Sequence, residues 1–276
     1  MSQRCFQTHC SFSLILLTAL FCNRALFGQT LAAEIKPEPV LTQFATVDSL
    51  VAGVYDGFEP LADLKKYGDF GIGTFDRIDG EAVILDGTVY QVKGDGTVTI
   101  PDDNMTTPFV SVIPFDASYR IQISSPLDFT AFCQKIEELE PGSNIILALR
   151  VRGKFSQVRT RSAYAQTRPY PPLDAAMANQ PEFELGTVEG CLLGFRLPPF
   201  MKGLNVPGFH LHFLTSDKTQ GGHLLRFQLE EGELEIMRVD RFRLILPPFD
   251  SDFYKTDLNI DRTREIRQVE ASDKNS

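Results

Sequence analysis

Three of the four histidines in this 276-residue chain fall within the fourteen positions from His210 to His223. Two of them sit in Gly208-Phe209-His210-Leu211-His212-Phe213-Leu214, where polar and apolar residues alternate strictly. On a strand, side chains at i and i+2 share a face, so both imidazoles project together while Phe209, Leu211 and Phe213 point to the core. If 215–220 forms the loop of a hairpin, position 212 pairs with 223 and His223 joins the same face. Three imidazoles on two adjacent strands can hold one ion at Zn–N distances of roughly 2.0–2.1 Å and leave coordination positions open, the pattern of catalytic zinc. Surface or core histidines at accidental spacing are the plainer alternative.

Three other segments carry ionisable groups. Gly71-Ile72-Gly73-Thr74-Phe75-Asp76-Arg77-Ile78-Asp79-Gly80-Glu81 has no Walker lysine, so it reads as a glycine-rich turn with Glu81 at the exposed start of a strand. Arg159 and Arg161, two apart, read as an exposed charged strand edge. The tail from Arg264 to Glu270 reads as a solvated charged terminus.

The elements that must position these residues are mostly strands. Glu81–Leu85, Thr88–Val92 and Val98–Ile100, separated by Asp86-Gly87 and Gly94-Asp95-Gly96, form a meander. Ser125-Pro126 opens a helix with Leu127, Phe132, Cys133, Ile136 and Leu139 on one side, closed by Pro141-Gly142. Asn144–Arg152 and Phe155–Arg161 read as a hairpin turning at Gly153-Lys154. Arg168–Ala178 marks the boundary between two halves. Beyond it, 183–197, 209–215, 223–230, 233–240 and 241–246 are strands, and a sheet closed on itself or nearly so would protect their edges. The expected fold is α+β and predominantly β. It comprises two mixed or antiparallel, barrel-like sheet halves, at 40–165 and 180–270, with few helices.

The net charge is −9, with no Lys/Arg cluster that could track a phosphate backbone, so nucleic-acid binding is not expected. Residues 1–32 read as a signal peptide: Arg4, the apolar run Ser11–Cys22, then Thr30-Leu31-Ala32 before the cleavage point. Its apolar run of about 12 residues is short of the roughly 20 of a membrane span, although extension through Ala25-Leu26-Phe27 would make an uncleaved anchor. Cleavage removes Arg4 and Arg24 and no acid, taking the charge from −9 to −11. It leaves an exported, acidic chain with no stable membrane association. Cys133 and Cys191 remain, either as isolated thiols or as one disulfide.

In order along the chain, Gly53-Val54-Tyr55-Asp56-Gly57, Gly73-Thr74-Phe75 with Asp79-Gly80-Glu81, Thr160-Arg161 with Gln166 and Arg168-Pro169-Tyr170-Pro171, and the histidine block with Asp217 and Gly221-Gly222-His223 resemble the acetolactate decarboxylase family. The resemblance runs from about Leu41 to Glu270. It implies a zinc-dependent lyase that converts the small-molecule substrate 2-acetolactate to acetoin and carbon dioxide, as a homodimer of mixed α/β subunits. By the same resemblance His210, His212 and His223 are zinc ligands, Glu81 is a catalytic glutamate, Arg161 an active-site arginine and Thr74 a pocket threonine. Glu270 corresponds to a glutamate returning to the metal from the C-terminal segment, with Glu265 as the alternative. Phe209 replaces a common tyrosine, and Ser162-Ala163-Tyr164-Ala165 replaces a valine-proline pair.

The chemistry suits these residues. Losing carbon dioxide beside a ketone leaves electron density on the ketone oxygen, which zinc stabilises as a Lewis acid. A glutamate of raised pKa, or Arg161, can return the proton. Two other classes compete. A cupin-like metal dioxygenase also uses His-x-His, but Ser216-Asp217-Lys218 stands where its motif needs a glutamate. An exported non-catalytic metal-binding module would bind zinc without turnover.

Overall fold

The computed structural model describes residues 39–270, so the expected signal peptide lies outside the described residues. In chain order the elements are β1 (Val40–Phe44), α1 (Val47–Val51), β2 (Glu59–Pro60), α2 (Leu61–Leu64), β3 (Phe70–Thr74), β4 (Glu81–Leu85), β5 (Thr88–Val92), β6 (Val98–Thr99), β7 (Thr106–Thr107) and β8 (Val110–Ile113). There follow β9 (Tyr119–Ile123), β10 (Leu127–Asp128), α3 (Phe129–Leu139), β11 (Ile146–Arg161), α4 (Leu173–Ala176), β12 (Glu182–Leu197), β13 (Gly208–Thr215), β14 (Gly221–Val239), β15 (Arg241–Ile245) and α5 (Thr263–Glu270).

Two main sheets result, with β2 and β7 forming a separate ribbon. The first is a seven-stranded mixed sheet ordered β15-β1-β8-β3-β4-β5-β6, in which only β15 and β1 run parallel. The second is antiparallel, and β14 pairs with both β11 and β13. Since β12 joins β11 to β13, these four strands close into a ring, the closure expected to shield the strand edges. The sheets pack face to face through Ile72, Val83 and Leu85 of one and Ala148, Leu193 and Phe195 of the other. A second core sets Leu149, Phe155, Leu211 and Phe213 against Phe132 and Ile136 of α3.

Several local expectations change. Gly153 is not a turn: β11 runs unbroken for 16 residues, and Gly153 pairs with Gly190 on one side and Gly232 on the other. A Cβ at Gly153 would lie 2.2 Å from the Glu231 carbonyl oxygen, so glycine here permits close strand approach. For the same reason 223–230 and 233–240 are one strand, β14, through Gly232. The sheets also cut across the halves expected at 40–165 and 180–270. β9 and β11 join the second sheet, and β15 returns to the first. The helix starts at Phe129 rather than Leu127 because Asp128 caps it, accepting the Ala131 N–H at 2.8 Å. Cys133 and Cys191 are free thiols, and no helix of the described residues is long and apolar enough to cross a membrane.

Candidate metal centre and its cavity

His212 on β13 stands opposite His223 on β14, the register that the hairpin requires. One nitrogen from each of His210, His212 and His223 lies within 4.8 Å of the others. All three rings are buried, His212 completely. Burial, followed by the nearby Arg161 charge, pushes His210 down to about 3. His212 is held well below the usual histidine range by burial and then His210, and His223 by burial and then Arg161. The rings are therefore neutral, the form that binds a metal. The Ala82 carbonyl can only accept, so His212 Nδ1–H donates to it, at 2.9 Å, and Nε2 carries the lone pair. That Nε2 is buried without a hydrogen-bond partner.

Two carboxylates face the histidines. Glu81 opens β4, paired with Thr74 of β3, and its Oε2 is 3.5 Å from His212 Nε2. It is not an exposed strand start, because the second sheet covers it. Burial raises its pKa to about 8, against the pull of Arg161 and with a push from Glu270. Glu270 Oε2 lies 3.8 Å from His210 Nε2 and 3.7 Å from His223 Nε2, and has no hydrogen-bond partner. Burial raises its pKa too, with Arg161 opposing. Helix α5 delivers it: Ile266 and Val269 are buried, and Glu270 is four residues beyond Ile266 on that face. Glu265 instead stands near Asp48, whose carboxyl burial holds above the usual range with a lesser push from Glu265, and it does not line the cavity.

Arg161 closes β11 opposite His223 and is 2% exposed, which corrects its reading as a charged edge. Register shifts on either side of Arg159 separate the two arginines. Arg159 pairs with Glu182, whereas Arg161 turns inward. One terminal nitrogen of Arg161 donates to Gln180 Oε1 at 2.8 Å; the other is 3.8 Å from Glu270 Oε1, and Nε has no partner. The Thr74 hydroxyl donates to the Gly80 carbonyl at 2.7 Å and keeps its acceptor capacity. Close approach of the backbones holds this corner together. Gly222 has φ +129°, and a Cβ there would lie 2.4 Å from the Arg161 carbonyl oxygen.

Together Thr74, Glu81, Arg161, His210, His223 and Glu270 form the polar side of a cavity of about 50 Å³, with His212 behind them. Its apolar walls come from α1, the α4 turn, Val206 and Val269. All seven residues named from the sequence thus converge. Gln180 and the Ala82 carbonyl were not among them, since neither lies in a motif; only the approach of distant segments gives them a role. Phe209 packs beside Phe132 in the apolar core. Three neutral imidazoles, an unpartnered lone pair and two carboxylates fit a divalent metal, and the guanidinium beside them fits a small anionic substrate.

The family model for alpha-acetolactate decarboxylase matches residues 41–260. The chain is 40% identical over 231 residues to an alpha-acetolactate decarboxylase of Methanosarcina mazei, covering 84% of this chain and 80% of that one. It is 36% identical over 247 residues to the Bacillus subtilis protein of the same name, covering 88% and 96% respectively. The crystal structure of alpha-acetolactate decarboxylase from Bacillus subtilis strain 168 superposes with a TM-score of 0.82 at 35% identity, covering 84% of this chain and 99% of that one.

Proposed function

Because the chain belongs to the alpha-acetolactate decarboxylase family, we propose that it converts 2-acetolactate to acetoin and carbon dioxide with zinc held by His210, His212 and His223. The observation that carries the metal reading is the buried, unpartnered His212 Nε2 facing Glu81 beside two further neutral imidazoles. When bound, zinc supplies Lewis-acid polarisation of the substrate ketone. Arg161 binds and orients the carboxylate. Thr74 offers a hydroxyl to the polar part of the substrate, and the apolar walls receive its methyl groups and exclude water. The C2–carboxylate bond breaks, its electron pair moves to the ketone oxygen, and carbon dioxide leaves. This reading assigns to Glu81, whose burial favours the protonated carboxyl, the return of a proton to C2. Glu270 closes the polar side and balances the Arg161 charge.

Family membership decides against the non-catalytic metal module and the cupin-like dioxygenase. The proposal includes export after cleavage near Ala32, which N-terminal sequencing from Ala33 would support, and assembly as a homodimer. The deciding experiment is a colorimetric acetoin assay on racemic acetolactate, with and without a chelator, alongside elemental analysis. We expect about one zinc per chain and activity that falls on chelation and returns with zinc. Full turnover by metal-free protein would overturn the zinc assignment, and absence of acetoin from the zinc-loaded protein would overturn the substrate.

A further inference from the structure

The guanidinium of Arg161 is almost wholly buried, yet its hydrogen bond among the described residues goes to a neutral acceptor, Gln180 Oε1, at 2.8 Å. The nearest carboxylate oxygen on it, from Glu270, stands 3.8 Å away, beyond hydrogen-bond reach. The backbone at Gln180 is anchored on both sides. Its N–H donates to the Met177 carbonyl at 3.2 Å, and the next carbonyl, Pro181, accepts the Ser162 N–H at 3.1 Å. In backbone register Arg161 stands opposite Glu182 across β11 and β12, while the Glu182 carboxylate pairs with Arg159. The amide is therefore tied to the strand whose side chain it holds.

We propose that Gln180 is a positioning residue, fixing one edge of the Arg161 guanidinium so that the remaining donors face the substrate carboxylate with none of them already hydrogen-bonded to a carboxylate. The inference rests on the carboxylate-binding role given to Arg161 above. A planar guanidinium has five donors in a rigid fork, so occupying one terminal nitrogen sets the direction of the others. A carboxylate in the place of Gln180 would orient the fork as well. It would also form an ion pair in a cavity of low dielectric and compete with the anionic substrate for the same charge. Acidic residues are plentiful in this chain, 36 against 27 basic ones, so the amide is not there for want of carboxylates.

Two substitutions separate orientation from charge. Gln180→Met keeps the length and neutrality but loses the oxygen acceptor; Gln180→Glu keeps the acceptor and adds charge. With zinc content and melting midpoint as controls for fold, we expect Gln180→Met to lower kcat/KM about tenfold or more, the scale of one hydrogen bond to a charged group. Gln180→Glu should raise KM, and weaken inhibition by an unreactive 2-hydroxy acid, by about tenfold, while inhibition by uncharged acetoin stays unchanged. Wild-type kinetics in both variants, with Arg161→Lys impaired, would overturn the role of Gln180 and leave the Arg161 reading standing. Full rescue by Gln180→Glu of what Gln180→Met loses would show that neutrality is irrelevant and overturn the proposal as stated. Wild-type kcat/KM in Arg161→Lys would overturn both.

Discussion

At the residue scale, function depends on which atoms are left unpaired. His212 gives Nδ1–H to a backbone carbonyl and keeps Nε2 bare, and Glu81 faces that nitrogen. We predict that Glu81→Gln preserves fold and zinc content while turnover falls ~100-fold or more, the usual scale for an acid–base group. Arg161→Lys should be comparably damaging despite the retained charge, because the bidentate fork is lost. Acetoin formation beside elemental analysis tests both, and wild-type turnover in either variant would refute the role given to it. The pKa shifts also imply a pH dependence for the stability of the metal-free protein. The three histidines have folded-state pKa values far below 6.5, so their contribution is intact above 6.5 and is lost progressively as pH falls from there toward the folded-state values. Glu81 is shifted oppositely, from 4.5 to about 8, so its contribution is fully present below 4.5 and lost as pH rises through 8. Melting temperature should therefore decline on both limbs. Glu81→Gln should weaken only the alkaline one, leaving the part that Glu270, also raised by burial, contributes, and an unchanged alkaline decline in that variant would count against the assignment.

At the element scale, the terminal helix and the bulged strand matter most. Helix α5 buries Ile266 and Val269 in the same cluster as the cavity walls and thereby carries Glu270 to the histidines. Deleting 264–276 should lower turnover strongly with little loss of the two sheets, whereas Glu270→Gln should lower turnover while moving the melting midpoint far less than the truncation does. Calorimetry and the acetoin assay distinguish the two, and wild-type rates in the truncation would return the tail to a solvated terminus. Strand β14 approaches β11 at Gly222, where φ is +129° and a side chain would strike backbone. Gly222→Ala should thus cost about 1–3 kcal/mol, the scale of a strained backbone residue. Zinc affinity should fall too, because His223 and Arg161 flank the contact. A melting curve and zinc titration equal to wild type would refute this.

At the scale of the whole molecule, the centre lies where two sheets meet. The histidines come from the ring of the second sheet, Thr74 and Glu81 from the adjoining ends of two interior strands of the first, and Glu270 from the C-terminal helix. A bound ion contacting groups from separate elements stabilises the folded state by mass action, about 4 kcal/mol at a thousandfold excess over Kd. Chelation should lower the melting midpoint and speed proteolysis within 261–270, since α5 loses its attachment at Glu270. Identical digestion with and without metal would argue that α5 is held by its apolar contacts alone.

The histidine centre was legible in the sequence because alternation and hairpin register are local: a period of two and a loop length suffice to bring 210, 212 and 223 to one face. The predominance of strands and the helix of α3 followed likewise from periodicity. Glu81, Arg161 and Glu270 had the look of surface charges, and only resemblance to a family singled them out. Their burial comes from segments far away in sequence, the second sheet for Glu81, a bulge and Gln180 for Arg161, and the packing of Ile266 and Val269 for Glu270. Gly153 and Gly232 show the same limit, since a glycine that permits a turn and one that permits two strands to touch are identical until the neighbouring strand is in place. Local pattern determined the histidine cluster that is proposed to hold the metal; tertiary packing decided which charges surround it, because burial belongs to the assembled layers and not to any one segment.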